Sequence, residues 1–409
     1  MLQKIKNIYH LLNGIAANVC YMFPSRKLVV IGVTGTDGKT TTASLIYHIL
    51  KNAGEKVSMI SSVGAMINGR EYSLPFHVTT PSRFALQKFI SMAGNKNNLR
   101  NGKRYLVLEV TSHSLDQYRV FGINFEIGVI TNVSHEHLDY HKNYKEYVKT
   151  KLKLLLRSKI AVVNRDDKSY RIIQPSLKNI TGKISRVVTY GFNKSADVNL
   201  SSFKFESKIL GDFNKYNILA AYTVANLLGV KESIIKKAIA SFEPPIGRQD
   251  MVFDEDFKVM IDFAHTPNSF KEVLSAVRPN VKGKLIHVFG SAGERDRTKR
   301  PEMGKISSMF SDILLITAED PRSENIDKIN ADILSGVRDR DQKLSDGAVI
   351  LIEDRQQAIN KAVELAKQND MVIITGKAHE KSMNYGKGEV PWDDYKAVKK
   401  ALSLKDEKN

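Results

Sequence analysis

Residues 29–42 have the pattern of a strand, a glycine-rich turn and the start of a helix, and no other stretch constrains the fold as strongly. The first residues are apolar and mostly β-branched, which favours a buried strand. Three glycines then lead into Lys39 and Thr40. Such a turn presents backbone N–H groups and a helix N-terminus to an anion, while the lysine reaches outer phosphates and the threonine can hold Mg²⁺. The stretch therefore predicts an ATP-binding loop.

Strand-like apolar runs alternate with helical periods along nearly the whole chain. This alternation is typical of mostly parallel sheets covered by helices. The predicted fold class is therefore α/β, with a P-loop central domain built on a mostly parallel sheet and a Rossmann-like C-terminal α/β domain. The predicted strands are residues 28–31, 57–60, 105–110, 127–131, 160–163, 186–190, 258–262, 285–289, 313–317, 349–352 and 371–375.

A proline pair at 244 and 245, followed by Gly247, predicts a rigid turn and a domain hinge. We expect three segments: an N-terminal amphipathic helix within residues 1–27, an ATP-binding central domain at 28–244 and a C-terminal domain at 245–409. Apolar residues recur with helical spacing between Leu2 and Met22. We expect this helix to pack on the body of the protein, with weak contact to a membrane surface as the alternative.

The composition limits which cellular compartment and which kinds of partner are expected for this chain. The single cysteine among 409 residues fits a reducing compartment, and no run of about 20 apolar residues predicts stable membrane insertion. The net charge of +18 is scattered along the chain, which does not favour a nucleic-acid partner but would attract acidic small-molecule substrates. We therefore expect a cytoplasmic monomer that acts on small molecules.

Two polar segments follow predicted strands at the edge where a nucleotide would bind. Glu109 ends the strand at 105–110 and is suited to supply a second oxygen ligand to Mg²⁺. Residues 135–141 contain several potential ligands, among them His135, His137, Asp139 and His141. A zinc site is conceivable, but no cysteine accompanies them, and a second Mg²⁺ is favoured beside ATP. The basic helix at 147–154 carries Lys151.

Seven motifs follow one another along the chain, at residues 35–42, 109–115, 131–141, 210–217, 247–248, 262–267 and 290–301. This is the order found in the Mur ligases, and the chain resembles that family from about residue 28 to 402. The resemblance is greatest to its MurE branch, the UDP-N-acetylmuramoyl-tripeptide synthetases. Members of that branch open with a separate uridine-binding domain, whereas 27 residues precede residue 28 here. We therefore expect the chain to lack most of that domain.

The resemblance implies an ATP site with two Mg²⁺ ions. Thr40 and Glu109 would hold the first ion, while His137 and a carbamylated Lys151 would hold the second. Catalysis would rest on Lys39, Glu109, His137 and Lys151. The ATP-binding residues implied in this way are Gly35, Thr36, Asp37, Gly38, Lys39, Thr40, Thr41, Asn217, Arg248, Asp262 and His265.

The resemblance also implies two substrate sites. The nucleotide-linked muramoyl substrate would contact Thr79, Thr80, Ser112 and Arg119, whereas the incoming amino acid would contact Arg295, Asp320, Arg322, Gly376 and Glu380. Residues 319–322 read Glu-Asp-Pro-Arg where family members that use meso-diaminopimelate have Asp-Asn-Pro-Arg. The arginine suits a second carboxylate, so meso-diaminopimelate is favoured and lysine stays open.

The implied reaction is ATP-dependent amide bond formation in peptidoglycan precursor synthesis. ATP would phosphorylate the carboxylate of UDP-MurNAc-L-Ala-D-Glu, and the amine of the diamino acid would then displace phosphate from the acyl phosphate. Two alternatives stay open. One is a related ligase on an acceptor without UDP, such as a folylpolyglutamate synthase or a poly-amino-acid ligase, and the other is a non-ligating P-loop ATPase.

Overall fold

The computed structural model describes residues 2–74, 79–94, 102–134, 138–178 and 184–407. The chain divides into two compact units. Unit 1 comprises Met1–Ile209 and Phe213–Glu243, and unit 2 comprises Leu210–Asp212 and Pro244–Asn409. The main boundary between the units therefore falls at the proline pair 244–245.

Unit 1 is built on an eight-stranded sheet. Its strands are β1 (Val29–Thr34), β2 (Lys56–Ser61), β3 (Gly64–Ile67), β4 (Arg70–Tyr72), β5 (Arg104–Glu109), β6 (Phe125–Ile130), β7 (Ser158–Asn164) and β8 (Arg186–Tyr190). They are ordered β4-β3-β2-β5-β1-β6-β7-β8, and all neighbours from β2 to β8 are parallel. The central strand β1 thus ends between the carboxyl ends of β5 and β6, where Val33 pairs with Glu109 and Thr34 with Ile130.

Helices cover this sheet on both faces. They are α1 (Leu2–Cys20), α2 (Lys39–Asn52), α3 (Arg83–Ala93), α4 (Ser112–Asp116), α5 (Leu138–His141), α6 (Tyr144–Leu155), α7 (Tyr170–Lys178), α8 (Asp212–Leu227) and α9 (Glu232–Ala240). Apolar residues of α2, α8 and α9 pack on one face of the central strands in a single core cluster. Burial on both faces explains why these strands are continuous apolar runs in the sequence.

Unit 2 contains a six-stranded sheet and a small two-stranded one. Its strands are β9 (Asp250–Asp254), β10 (Lys258–Asp262), β11 (Leu285–Phe289), β12 (Ile313–Ile316), β13 (Val349–Leu351), β14 (Met371–Thr375), β15 (Ser382–Asn384) and β16 (Glu389–Pro391). The large sheet is ordered β13-β12-β11-β14-β10-β9 and is parallel except for β9. Its helices are α10 (Pro267–Val277), α11 (Lys299–Phe310), α12 (Ile326–Leu334), α13 (Arg340–Ser345), α14 (Arg355–Leu365) and α15 (Asp394–Asp406).

The predicted α/β class with mostly parallel sheets is confirmed, and each predicted strand has a counterpart. The sequence interpretation missed the short antiparallel strands β3, β4, β9, β15 and β16. Several of these lie at a sheet edge and are partly exposed, so they lack the continuous apolar pattern of the parallel strands.

Helix α1 packs on the loop that follows α4. Asn18 Nδ2 donates to the carbonyl of Phe121 at 2.7 Å, and a Cβ at Gly14 would come close to the backbone of Tyr118. The outer side of α1 exposes Ile8 and Leu12. Among the helices that the structure describes, none combines the length and apolar character needed to cross a membrane.

Candidate active site

The loop between β1 and α2 takes a shape that requires its glycines. Gly38 is the residue before α2 and has a φ of 77°, a left-handed conformation that glycine adopts readily. A Cβ there would also overlap the amide of Asn217, and a Cβ at Gly35 would overlap the hydroxyl of Thr131. Lys39 folds back over the loop, with Nζ donating to the carbonyl of Thr36 at 2.7 Å.

Three oxygen-bearing groups converge at the start of α2. The Thr40 hydroxyl donates to Glu109 Oε2 at 3.1 Å and lies 2.9 Å from the Ser62 hydroxyl. The backbone N–H of Ser62 donates to the same carboxylate oxygen at 3.0 Å. Glu109 is buried, with 1 % of its surface exposed. The sequence predicts that Thr40 and Glu109 act together, but it does not single out Ser62.

The end of β6 supports the loop from the other side. Asn132 Oδ1 accepts from the N–H of Asp37 at 2.9 Å, and the Thr131 hydroxyl donates to the carbonyl of Asp37 at 2.7 Å. The hydroxyl of Thr36 accepts from the N–H of Ser134 at 3.0 Å. These three bonds hold residues 36 and 37 in place without using a charged side chain.

Lys151 reaches the same loop from helix α6. It is buried, with 1 % of its surface exposed, and Nζ donates to the carbonyl of Gly35 at 2.5 Å. Nζ also lies 4.5 Å from the centre of the Tyr147 ring. His137 lies outside the described residues, as do His135 and Glu136. Within the described parts of the chain, no three His, Cys, Asp or Glu side chains group as a metal site.

Asn217 links helix α8 to the start of α2. Its Oδ1 accepts from the Thr42 hydroxyl at 3.2 Å, and its Nδ2 donates to Asn214 Oδ1 at 3.0 Å. Thr41, one residue earlier on α2, is buried. Asn217, which the resemblance implies as an ATP contact, therefore lies against the glycine-rich loop at Gly38.

Thr80 and Arg119 lie together beside Glu109. The Thr80 hydroxyl donates to the backbone carbonyl of Glu109 at 3.1 Å, and Arg119 Nη1 donates to the carbonyl of Thr80 at 2.8 Å. Thr79 precedes them in the chain and is partly buried. Ser112, at the start of α4, lies 3.0 Å from Nε2 of the buried His141.

A cavity of about 550 Å³ opens next to Arg119 in unit 1. Arg83 and Lys88 of helix α3 contribute further positive charges, and Tyr72 and Phe89 form an edge-on aromatic pair at 5.8 Å on its wall. The cavity therefore combines cationic and aromatic groups within reach of the predicted muramoyl contacts.

In unit 2, the predicted ATP contacts gather at the end of β10. The buried carboxylate of Asp262 accepts from the N–H groups of Gln249 and Ala264, both at 2.7 Å. Burial raises the pKa of Asp262, and the guanidinium of Arg248 acts in the opposite direction. That guanidinium also lies 4.6 Å from the centre of the Phe263 ring. His265 is held by its ring Nδ1, 2.9 Å from the carbonyl of Phe263.

The predicted amino-acid contacts of unit 2 centre on a buried lysine that the sequence analysis did not single out. Lys377 Nζ lies 2.9 Å from both carboxylate oxygens of Asp320 and 2.7 Å from Glu380 Oε2. Arg322 Nη1 donates to the carbonyl of Gly293 at 2.7 Å, and Arg295 is exposed. We refer to Lys377, Asp320 and Glu380 as the lysine triad.

Glu319 is the most unusual side chain in this part of unit 2. Its side chain packs against Gly290 and Gly376, where no Cβ intervenes, and Oε2 makes no hydrogen bond to the described residues. Burial raises the pKa of this carboxyl to about 7, although the positive charge of Lys299 lowers it. Most buried carboxylates are hydrogen-bonded, so this one calls for an explanation.

Family models of known proteins match both units. The model described as the Mur ligase middle domain matches residues 33–225, and the model described as the Mur ligase, glutamate ligase domain matches residues 247–378. Together they cover most of the chain and include nearly all of the site residues described above.

Relatives with curated names match over nearly the whole chain. A UDP-N-acetylmuramoyl-L-alanyl-D-glutamate–2,6-diaminopimelate ligase of Aquifex aeolicus is 37 % identical, over 95 % of this chain and 80 % of its own length. A UDP-N-acetylmuramyl-tripeptide synthetase of Borreliella afzelii is 36 % identical, over 96 % of this chain and 80 % of its own length.

Solved structures of Mur ligases and of a folylpolyglutamate synthase also superpose on this chain. A structure titled UDP-N-acetylmuramoyl-L-alanyl-D-glutamate–2,6-diaminopimelate ligase superposes with a TM-score of 0.61 at 28 % identity, over 93 % of this chain and 79 % of its own. Folylpolyglutamate synthase of Mycobacterium tuberculosis superposes with a TM-score of 0.69 at 16 % identity, over 90 % of this chain and 93 % of its own. At that identity the second match concerns the fold alone.

Proposed function

Because the chain belongs to the Mur ligase family, we propose that it joins a diamino acid to UDP-MurNAc-L-Ala-D-Glu at the expense of ATP, in peptidoglycan precursor synthesis. Relatives that share more than a third of its residues carry the name of that activity. Meso-diaminopimelate is the favoured amino acid, because two of these three relatives are named for 2,6-diaminopimelate. We assign the reaction to the cytoplasm, in keeping with the single cysteine.

The observation that carries the proposal is the group formed by Thr40, Glu109 and Ser62 directly behind the phosphate loop. A hydroxyl and a carboxylate oxygen 3.1 Å apart are oxygen donors of the kind that Mg²⁺ prefers, so these residues fit such an ion. Bound there, Mg²⁺ would neutralise charge on the phosphates of ATP. Lys39 would leave the Thr36 carbonyl and contact the transferring phosphate.

We assign Lys151 to the second ion as a carbamate. Its buried amine lies against the loop carbonyl of Gly35, where a cation would be costly beside a metal ion and a carbamate would supply oxygen ligands. His137 would complete this set. The loop residues from Gly35 to Thr41, together with Asn217, Arg248, Asp262 and His265, would bind ATP.

The substrate assignments follow the two units. Thr79, Thr80, Ser112 and Arg119 of unit 1 would orient the muramoyl peptide, whose carboxylate accepts the phosphoryl group from ATP. In unit 2, Arg295, Arg322, Gly376 and the lysine triad would bind the amino acid. No protein nucleophile is needed, since the acyl phosphate is itself the activated species, and catalysis rests on positioning and charge neutralisation.

The test is a ligation assay with the purified protein, ATP and UDP-MurNAc-L-Ala-D-Glu, supplied in parallel with meso-diaminopimelate, lysine or no amino acid. Mass spectrometry identifies the product and a coupled assay follows ADP. We expect a tripeptide product with meso-diaminopimelate and ADP release that requires both substrates. ADP release without either substrate would indicate an ATPase, and ligation to folate or to a polyglutamate acceptor alone would indicate a related ligase.

A further inference from the structure

One face of helix α3 forms a wall of the cavity beside Arg119 in unit 1. The side chains on this face recur with helical spacing: Ala85, Lys88, Phe89 and Met92. A different face of α3 carries Leu86 and Ile90, which are buried in a core cluster with the strands. The core therefore fixes the position of the helix, and its cavity face is available to a ligand.

The cavity carries positive charge that no acid balances among the described residues that line it. Its cations are Arg83, Lys88 and Arg119. Arg83 Nη2 donates to the carbonyl of Gln117 at 2.5 Å, and the buried Nε of Arg83 makes no hydrogen bond to the described residues. Burial and the nearby charge of Arg119 lower the pKa of Arg83. A bound anion would supply the missing counter-charge.

The wall beside the C-terminal half of α3 is aromatic. Tyr72 of β4 and Phe89 meet there edge-on, with their ring centres 5.8 Å apart, and both rings are partly exposed. An inorganic phosphate would make no use of this wall, and an apolar ligand would make no use of the cations. A flat heteroaromatic base that carries phosphates would use both.

We propose that the cavity binds the nucleoside diphosphate of the acceptor substrate, with the diphosphate on Arg83 and Lys88 and the base against Phe89. This inference rests on the proposed function, in which the acceptor carries UDP at the end opposite to the carboxylate that ATP phosphorylates. The assignments above give residues to the muramoyl peptide and to the amino acid, and none to UDP.

The direction of α3 matches the order of groups in that acceptor. The helix begins just after Thr80, whose hydroxyl donates to the carbonyl of Glu109 at the end of β5. It ends at Ala93, whose carbonyl accepts from Arg104 Nη1 at the start of β5. The helix thus leads away from the Glu109 carboxylate, and Lys88 lies about 7 Å along it from the first residue. A peptide held near Glu109 would therefore direct its UDP along the cavity.

The first experiment compares two acceptors, UDP-MurNAc-L-Ala-D-Glu and the same muramoyl dipeptide without UDP. The variants are Lys88→Gln and the control Lys51→Gln, since both lysines are exposed and Lys51 of α2 does not line the cavity. We expect the wild type to prefer the UDP-linked acceptor in kcat/KM. Lys88→Gln should lower this preference about 10-fold through KM, with kcat retained, and Lys51→Gln should match the wild type.

The second experiment uses UDP alone as the probe of the cavity. The nucleotide site is first saturated with ADP, so that UDP cannot enter it, and UDP binding is then measured by calorimetry. We expect the wild type to bind UDP and both Lys88→Gln and Arg83→Gln to bind it about 10-fold more weakly. Arg83→Lys, which keeps the charge, should recover part of the loss.

The two experiments separate failure of this inference from failure of the proposed function. A wild type that uses both acceptors equally well, or an unchanged preference in Lys88→Gln, would overturn the assignment of the cavity and leave the ligase activity in place. Equal losses on both acceptors would also overturn it, because they would point to the dipeptide rather than to UDP. If neither acceptor is ligated, the proposed function itself fails, and UDP calorimetry alone decides whether the cavity binds a nucleoside diphosphate.

Discussion

The fully buried side chains of Arg355 and Asp394 form an ion pair through two hydrogen bonds, Nε to Oδ1 at 2.9 Å and Nη2 to Oδ2 at 3.0 Å. Arg355 also donates to the carbonyls of Ala318 and Thr375, while Asp394 accepts from the N–H of Ala378. The pair thus ties together the loops that follow β12 and β14, which carry the predicted amino-acid contacts.

Asp394→Asn should be strongly destabilising because it leaves the guanidinium of Arg355 buried without its counter-charge. We expect the free energy of unfolding to fall by about 3–5 kcal/mol, measured by urea denaturation. Asp341→Asn is the matched control, since the pair of Asp341 with Arg340 is exposed and its loss should cost about 1 kcal/mol or less. Equal effects of the two variants would contradict this account.

Gly38→Ala should destabilise the loop between β1 and α2 by more than the strain of its positive φ alone would cause. Gly38 and Gly54 flank helix α2 with φ values of 77° and 79°, but a Cβ at 38 would overlap Asn217 while a Cβ at 54 would meet nothing within 4 Å. We expect Gly54→Ala to cost about 1 kcal/mol and leave ATP affinity intact. Gly38→Ala should cost more and weaken ATP binding, as measured by calorimetry.

If Lys151 is carbamylated, ligase activity should depend on dissolved carbon dioxide. Activity should decline in buffer depleted of carbon dioxide and return on addition of bicarbonate, because the carbamate forms reversibly. Labelling with ¹³C-bicarbonate should give a carbamate signal by NMR in the wild type and none in Lys151→Ala. Lys149→Ala is the control, since the Lys149 side chain is about half exposed and pairs with Glu146. A signal that survives in Lys151→Ala would place the modification elsewhere.

Glu319 should make the protein less stable as the pH rises. Burial raises the pKa of its carboxyl from 4.5 to about 7, so between these values the unfolded chain loses the proton while the folded chain keeps it. The contribution of Glu319 to the free energy of unfolding is therefore greatest below pH 4.5, and it falls by about 3 kcal/mol as the pH rises past 7. Urea denaturation at pH 5 and pH 8 should show this loss in the wild type and not in Glu319→Gln. Parallel curves would argue against a raised pKa.

The parallel strands could be predicted from the sequence because burial on both faces leaves apolar runs that are hard to mistake. The hairpin of β3 and β4 was not predicted, although an Asn-Gly pair at 68 and 69 is a typical sequence signal for a two-residue hairpin turn. In the structure both residues have positive φ, as such a turn requires.

The candidate site was accessible from the sequence only where its residues belong to a local motif. Lys39 and Thr40 are adjacent at the start of α2, directly after the glycine-rich loop. Ser62 is a polar residue directly after the parallel strand β2, which is a pattern that a sequence shows. The role of Lys377 could not be predicted from the sequence, because its partner Asp320 is 57 residues away and only the folded sheet brings the two together. Nor does the sequence reveal that Glu319 lacks a hydrogen-bond partner.

The lysine triad has a consequence for changing the amino-acid preference of this enzyme by design. Asp320 and Glu380 each form an ion pair with Lys377. A neutral residue at either position would therefore leave the buried ammonium of Lys377 with one counter-ion fewer. Converting Asp320 to the asparagine of family members that use meso-diaminopimelate would carry that penalty if made alone. Any library of variants that aims to change the amino-acid preference should therefore vary positions 320 and 377 together.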